Sequence, residues 1–185
     1  WNFFTEALGQ GAGCIVCNSD MTKKIYFPRE VLTIASVTAK FVNMLLASVV
    51  VFGFLVFSHV GISWHLLLVP AVMLAEYLLA LGLTLFFSAV TVYLRDMEYI
   101  VGVLLQAWIW ATPIMYAIDA IPAFVGHILL LNPMTLVITS YHNLLYYHQL
   151  PTALTWIGMY TFGIIILLIG EVVFTHLEGN FAEEL

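Results

Sequence analysis

Apolar residues are gathered into long runs along this 185-residue chain, broken by short polar stretches. Val31 to Phe57 carries a single charged residue, Lys40, and Trp64 to Tyr93 carries only Glu76. Tyr99 to Ile118 carries no charge, and Leu154 to Phe174 carries only Glu171. A hydrocarbon core of about 30 Å takes about 20 such residues wound as a helix. None of the runs has the strict alternation of a membrane barrel strand, so the pattern predicts membrane helices over 31–57, 64–93, 99–118 and 154–174. Residues 1–17 are apolar except for Glu6 and read as a further membrane helix. The chain opens without a methionine, and the expectation is a fragment whose upstream helix is missing. No basic stretch precedes the apolar opening, which argues against a signal peptide.

The stretch 119–151 does not fit the same scheme. It stays apolar but is cut by Pro122, by Asn132 followed by Pro133, and by Pro151. About eleven residues separate the first two breaks, about 16 Å of helix or half a bilayer. Backbone at that depth is tolerated where it is buried in protein or lines a wet cavity, so a re-entrant helical hairpin is predicted. Its second arm ends in Tyr141, His142, Asn143, Tyr146, Tyr147 and His148. Two readings of that cluster stand together. It is an aromatic belt at the headgroup level, or a contact surface whose rings and hydroxyls meet a polar substrate such as a sugar.

Composition agrees with the pattern: 63 % of the residues are hydrophobic and 9 % charged, against about 25 % charged in soluble domains. Only five Lys and Arg are present, and three of them, Lys23, Lys24 and Arg29, fall in MTKKIYFPRE just before the run 31–57. Arg95 follows two runs later, in LRDMEY. Short cytoplasmic loops collect Lys and Arg, so both segments are predicted to be cytoplasmic. The loops 58–63 and 119–151 contain neither residue and are predicted to be external. Residue 1 is then external, the first helix runs inward, and the tail 175–185 ends in the cytoplasm. Segment 18–30 becomes a cytoplasmic turn, because Pro28 biases Phe27 away from helical angles. Its cations either anchor the turn to anionic headgroups or dock it on a cytoplasmic protein. A formal charge of -6 with no basic stripe argues against a nucleic-acid partner.

Polar side chains inside membrane helices face protein or water, since exposing them to lipid costs several kcal/mol. Ser36, Lys40, Asn43 and Ala47 form one small and polar stripe at helical spacing, and Glu76, Ala80, Thr84, Ser88 and Thr91 form another. Antiparallel packing would bring Lys40 and Glu76 near each other about the midplane. A structural ion pair, a snorkelling lysine and a place on a transport pathway are the open readings. Further acidic or histidine members for a proton relay are missing. Gly9 and Gly13 give a small-xxx-small pair suited to close helix approach. No Gly-Lys-Ser or Gly-Lys-Thr follows them, so no nucleotide site of the P-loop kind is expected. No zinc-protease, paired-carboxylate or serine-elbow motif gives enzyme chemistry a seat, and no catalytic or metal-ligating residue is expected. Cys14 and Cys17 read as ordinary buried thiols, since a lone pair lacks the four ligands of a structural zinc site.

Four segments carry a resemblance: N-x-x-x-x-x-K-I-Y-F-P-R-E at Asn18 to Glu30, FFSAVTVYLRDMEYIV at Phe86 to Val101, LNPMT at Leu131 to Thr135, and the tail FAEEL. Together they resemble the membrane subunit of ABC-2 type exporters, and within these the polysaccharide, teichoic acid and O-antigen export permeases. The resemblance implies an all-α bundle of six membrane helices, about five of them present here, with the N-terminal amphipathic helix and first membrane helix absent. It implies a homodimer with two copies of a separate ATPase subunit that binds ATP and Mg, so that this chain is no enzyme and holds no cofactor. The implied substrate is a lipid-linked glycan moved outward across a bacterial inner membrane between the two permease copies. Asn18, Lys23, Lys24, Phe27, Pro28 and Arg29 then resemble the segment that docks on the ATPase, with Arg95 and Asp96 as a second contact. Residues 121–150 would be the external gate. Trp108, Trp110, Tyr116, Tyr141 and Tyr146 are the candidates for stacking on sugars, with Lys40 and Glu76 beside the pathway. An exporter of a drug or small lipophile, and a membrane scaffold that transports nothing, are the alternatives.

Overall fold

The computed structural model describes residues 1–19, 28–57, 64–116 and 122–181. Every regular element among them is helical. They are α1 (Asn2–Ala12), α2 (Cys14–Cys17), α3 (Glu30–Phe57), a 3-10 turn (Trp64–Leu68), α4 (Val69–Tyr93), α5 (Met97–Trp108), α6 (Ala123–Leu129), α7 (Pro133–Leu145) and α8 (Ala153–Glu178). Local chemistry sets several boundaries. Pro70 lies in the first turn of α4, where its missing N–H costs nothing. The Asn132 and Thr152 side chains accept from the backbone N–H of Met134 and Thr155 and so cap α7 and α8. Cys14 is buried and Cys17 exposed, and neither is in a disulfide.

Three helical stretches are long and apolar enough to cross a membrane: Glu30–Leu55, Trp64–Tyr93 and Ala153–Glu178. The other two predicted spans differ. Over 99–118 a single helix was expected, but α5 ends at Trp108 and the chain continues in tight turns, Ala111 N–H bonding Trp108 O at 3.0 Å. Pro113 prevents the helix from continuing, because it has no N–H to bond Ile109 O and its ring crowds that carbonyl. At 12 residues α5 is about 18 Å long. The opening helix is likewise divided at Gly13, where a Cβ would come within 2.7 Å of a Glu98 carboxylate oxygen. The region between Pro122 and Pro151 forms two short helices, α6 and α7, divided at the Asn132–Pro133 break as the prolines predict.

Helix α4 is the centre of the bundle. It runs parallel to α8, with Ala71 meeting Tyr160, Ala75 meeting Gly163, Gly82 meeting Gly170 and Tyr93 meeting Leu177. At the Gly82 crossing a Cβ would fall 2.5 Å from the Leu167 backbone, so only glycine permits this approach. Helix α1 also runs parallel to α4, Gly11 resting on Thr84. Helix α3 runs antiparallel, with Thr33 Oγ1 3.2 Å from Ser88 Oγ and Thr38 Oγ1 2.9 Å from the Tyr77 hydroxyl. These registers place Arg29 and Arg95 at one end of the bundle and α7 at the other.

The predicted stripe on α4 is buried throughout, from Glu76 through Ala80, Thr84 and Ser88 to Thr91. Its hydroxyls bond to carbonyls one turn back, Thr84 Oγ1 to Ala80 O and Thr91 Oγ1 to Phe87 O, both at 2.7 Å, which lets polar residues sit in an apolar core. On α3 the expected stripe is displaced. Thr33 and Val37 form the buried face, Ser36 and Lys40 are half-buried, and Asn43 and Ala47 are exposed. The far side of α3 presents Leu46, Val49, Val50 and Phe54 outward, as a lipid-facing helix would.

Candidate functional site

A cavity of about 480 Å³ opens between α1, α3, α4 and α7. Lys40, Glu76 and Tyr141, all expected on the pathway, line it together with Glu6, Asn43 and Phe3. The anticipated Lys40–Glu76 pair is not formed. Lys40 Nζ lies instead 3.3 Å from Glu6 Oε2, at the opening of the cavity where the Glu6 side chain is 51 % exposed. Glu76 is 1 % exposed and accepts a 2.8 Å hydrogen bond from the Tyr141 hydroxyl on Oε2, while Oε1 has no hydrogen-bond partner. The buried face of α3 runs through Thr33 and Val37, and Lys40 lies off that face, where it meets Glu6 of α1.

The aromatic candidates separate into two groups. Trp108 is a packing residue: its ring meets Phe4 edge-on at 5.6 Å and its Nε1–H donates to Asn132 Oδ1 at 3.1 Å. Trp110 is 76 % exposed just beyond α5, and its carbonyl accepts from the Tyr116 hydroxyl at 2.9 Å. Tyr116 and Tyr146 line a second cavity of about 300 Å³, shared with Ile114, His142 and Tyr147. Tyr146 and Tyr147 meet edge-on at 5.1 Å. Tyr141 and Tyr146 therefore serve different cavities although both come from the end of α7.

At the opposite end, Lys23, Lys24 and Phe27 lie outside the described residues, and Pro28 is exposed at the entry to α3. Arg29 is engaged within the chain. Its guanidinium donates to the Glu178 carbonyl and lies 5.8 Å from the centre of the buried Phe181 ring. Phe181 packs in turn on Phe174 and Tyr93, so the start of α3 is fastened to the end of α8. Asn18 donates to Cys14 O at 2.7 Å and closes α2, whereas Arg95 and Asp96 are exposed between α4 and α5. No group of three or more His, Cys, Asp or Glu suited to a metal occurs among the described residues.

Sequence reasoning missed three residues of this arrangement. Glu6 was visible as the lone charge of the opening helix, opposite in sign to Lys40, but nothing fixed which helix lay between them. Asn132 stands out in the sequence as a break and as part of LNPMT, yet its amide also donates to Ala111 O at 3.0 Å and Thr112 Oγ1 at 3.1 Å, joining the turns after α5 to the start of α7. Phe181 gave no local signal, since its contacts come from residues distant in the chain.

Residues 19–146 match the family described as ABC-2 type transporter. Over its whole length the chain is 30 % identical to the O-antigen export system permease protein RfbA of Myxococcus xanthus and covers 72 % of that protein. Two proteins of the same description from Klebsiella pneumoniae are 28 % and 27 % identical, over 99 % of this chain and 71 % of their own length.

Proposed function

Since the chain belongs to the ABC-2 type transporter family, we propose that it is the membrane-spanning permease subunit of an ATP-driven exporter that carries a lipid-linked polysaccharide outward across a bacterial inner membrane. The observation that carries this reading is the similarity to O-antigen export permeases, which extends over the whole chain and is not confined to one motif. The aromatic and hydroxylated cavity of Tyr116, His142, Tyr146 and Tyr147 supports a sugar-bearing substrate, because such rings offer faces for stacking and hydroxyls for hydrogen bonds. A path for a small lipophile would present apolar walls instead.

In this reading the permease pairs with a second copy of itself and with two ATPase subunits, which bind ATP and Mg. The clustering of Arg29 and Arg95 at one end supports a cytoplasmic face there. Segment 18–30 and Arg95 with Asp96 form the docking face for the ATPase, and α6 with α7 form a re-entrant gate at the external mouth. Nucleotide-driven closure of the partner reaches the membrane through the base of α3, which Arg29 fastens to α8, so both helices receive the same push.

Genetic complementation tests the reading. A strain lacking the full-length permease gene should lose its surface polysaccharide and accumulate the lipid-linked precursor inside, and the restored gene should reverse both. Normal surface polysaccharide in the deletion strain would remove the assignment.

A further inference from the structure

The side chain of Asn132 is hydrogen-bonded at each of its donor and acceptor sites. Oδ1 accepts from Trp108 Nε1–H at 3.1 Å and from the Met134 backbone N–H at 3.0 Å, while Nδ2 donates to Ala111 O at 3.0 Å and to Thr112 Oγ1 at 3.1 Å. The first two partners only donate and Ala111 O only accepts, so the group between them must be an amide, held in one orientation. Thr112 is fully buried, and its own hydroxyl is committed to Trp108 O at 3.1 Å.

The two segments joined there are the two walls of the aromatic cavity. Ile114, Met115 and Tyr116 come from the turns that follow α5, and His142, Tyr146 and Tyr147 come from the end of α7. Asn132 ties the first of those turns to the start of α7 and so sets one wall against the other. Each side is anchored in its own right. On the α5 side Trp108 rests edge-on against Phe4 of α1, and the Glu98 carboxylate lies close against Gly13. On the α7 side the Tyr141 hydroxyl is bound to Glu76 of α4. Just past Tyr147, His148 has a φ of 50°, a left-handed conformation uncommon for a residue other than glycine, and Gln149 N–H returns to Asn143 O at 2.9 Å.

We propose that Asn132 is a positioning residue for the glycan, holding the turns after α5 and helix α7 as one body so that the two walls of the aromatic cavity stay in register. Stacking on ring faces needs the rings held to within about 0.5 Å, and two segments distant in the chain meet that demand only if something fixes one to the other. The same amide gives α5 a mechanical connection to α7. A displacement entering at Arg95 and Asp96 passes along α5, about 18 Å, and reaches α7 through it. The substrate in this proposal rests on the exporter reading above, whereas the register of the two walls does not.

Asn132→Ser separates the joint from the helix cap. Serine caps a helix about as well as asparagine does, but it is too short to reach Trp108, Ala111 and Thr112. Trp108→Phe keeps a ring on Phe4 and removes only the Nε1–H. The full-length permease with its ATPase partner is placed in lipid nanodiscs, with native cysteines replaced by serine and spin labels on Met115→Cys and Gln149→Cys. Both positions are exposed, one on each side of the cavity. The unsubstituted protein should give one narrow distance, with or without nucleotide and vanadate, and Asn132→Ser should give a broad distribution. In proteoliposomes the unlabelled Asn132→Ser complex should move about tenfold less glycan per ATP hydrolysed, because three lost neutral hydrogen bonds at about twofold each compound to that loss. Trp108→Phe should lose about twofold by the same reasoning. Assembly and the rate of ATP hydrolysis should stay unchanged in both. The proposal is overturned if Asn132→Ser keeps the narrow distance, if it moves as much glycan per ATP as the unsubstituted complex, or if hydrolysis falls in step with export. Should the unsubstituted complex hydrolyse ATP and move no glycan, the exporter reading falls, and the distances alone decide whether Asn132 holds the walls together.

Discussion

Gly82→Ala places one methyl group where α4 and α8 touch. Its Cβ would lie 2.5 Å from both Cα and N of Leu167 and 2.6 Å from the Ile166 carbonyl carbon. Carbon atoms rest about 3.5–4 Å apart, so the two backbones must separate by about 1 Å. That separation is opposed on both sides of the crossing. The Tyr160 hydroxyl bonds Ala71 O at 2.8 Å on one side, and the Tyr93 hydroxyl bonds Leu177 O at 3.0 Å on the other. Overpacking of this kind costs about 1–3 kcal/mol, and the clash here is with backbone, which cannot rotate away, so the upper end applies. Alanine recovers up to about 1 kcal/mol of helix propensity, leaving a net loss of about 2 kcal/mol, or about thirtyfold in the folded population. Gly53→Ala on α3 is the matched control, because its Cβ meets nothing within 4 Å and only the propensity gain remains. Reversible unfolding of the purified full-length protein in mixed micelles, followed by circular dichroism, measures both. Equal unfolding midpoints for the two variants would refute the close crossing of α4 and α8.

Tyr141→Phe should destabilise the same protein by about 1–3 kcal/mol, since it leaves both Glu76 oxygens buried without a donor. Combining it with Glu76→Gln should cost less than the two separate losses added together. Asn132→Ala should lower stability by about 1–2 kcal/mol through loss of the α7 cap and the Trp108 bond, with a change in tryptophan emission from Trp108. Reversing the charge of Lys23 and Lys24 together should reduce glycan export and substrate-stimulated ATP hydrolysis, with membrane insertion intact by fractionation. Arg29 is left out of that variant because its contacts with Glu178 and Phe181 give it a second, structural duty.

Much of the fold was legible because the apolar runs are long and the breaks are chemically explicit. Lys40 and Glu76 are single charges in two long runs, and the helices around them formed where expected. Prolines 122 and 133 marked the starts of the two short helices at the end of the bundle away from Arg29 and Arg95. The stripe on α4 announced a face turned toward protein, and all five of its members are buried. What failed were statements about lateral arrangement. Tyr99 to Ile118 has the length of a span, but Pro113 stops the helix early, and the turn that follows is held by Asn132 from a distant segment. The stripe on α3 had the right spacing and the wrong rotation, so Lys40 met Glu6 and not Glu76. Periodicity defines a face but not the neighbour it meets, and the neighbour depends on contacts such as Gly82 on Leu167 that no local pattern encodes.

Reconstitution tests the central claim most directly. The full-length permease and its ATPase partner are placed in proteoliposomes with a fluorescent lipid-linked glycan, and its passage between leaflets is followed by quenching from one side. The account predicts translocation that requires ATP and Mg, that stops when either subunit is omitted, and that does not occur for the lipid carrier stripped of its sugars. Passage at the same rate without ATP, or without the permease, would contradict it.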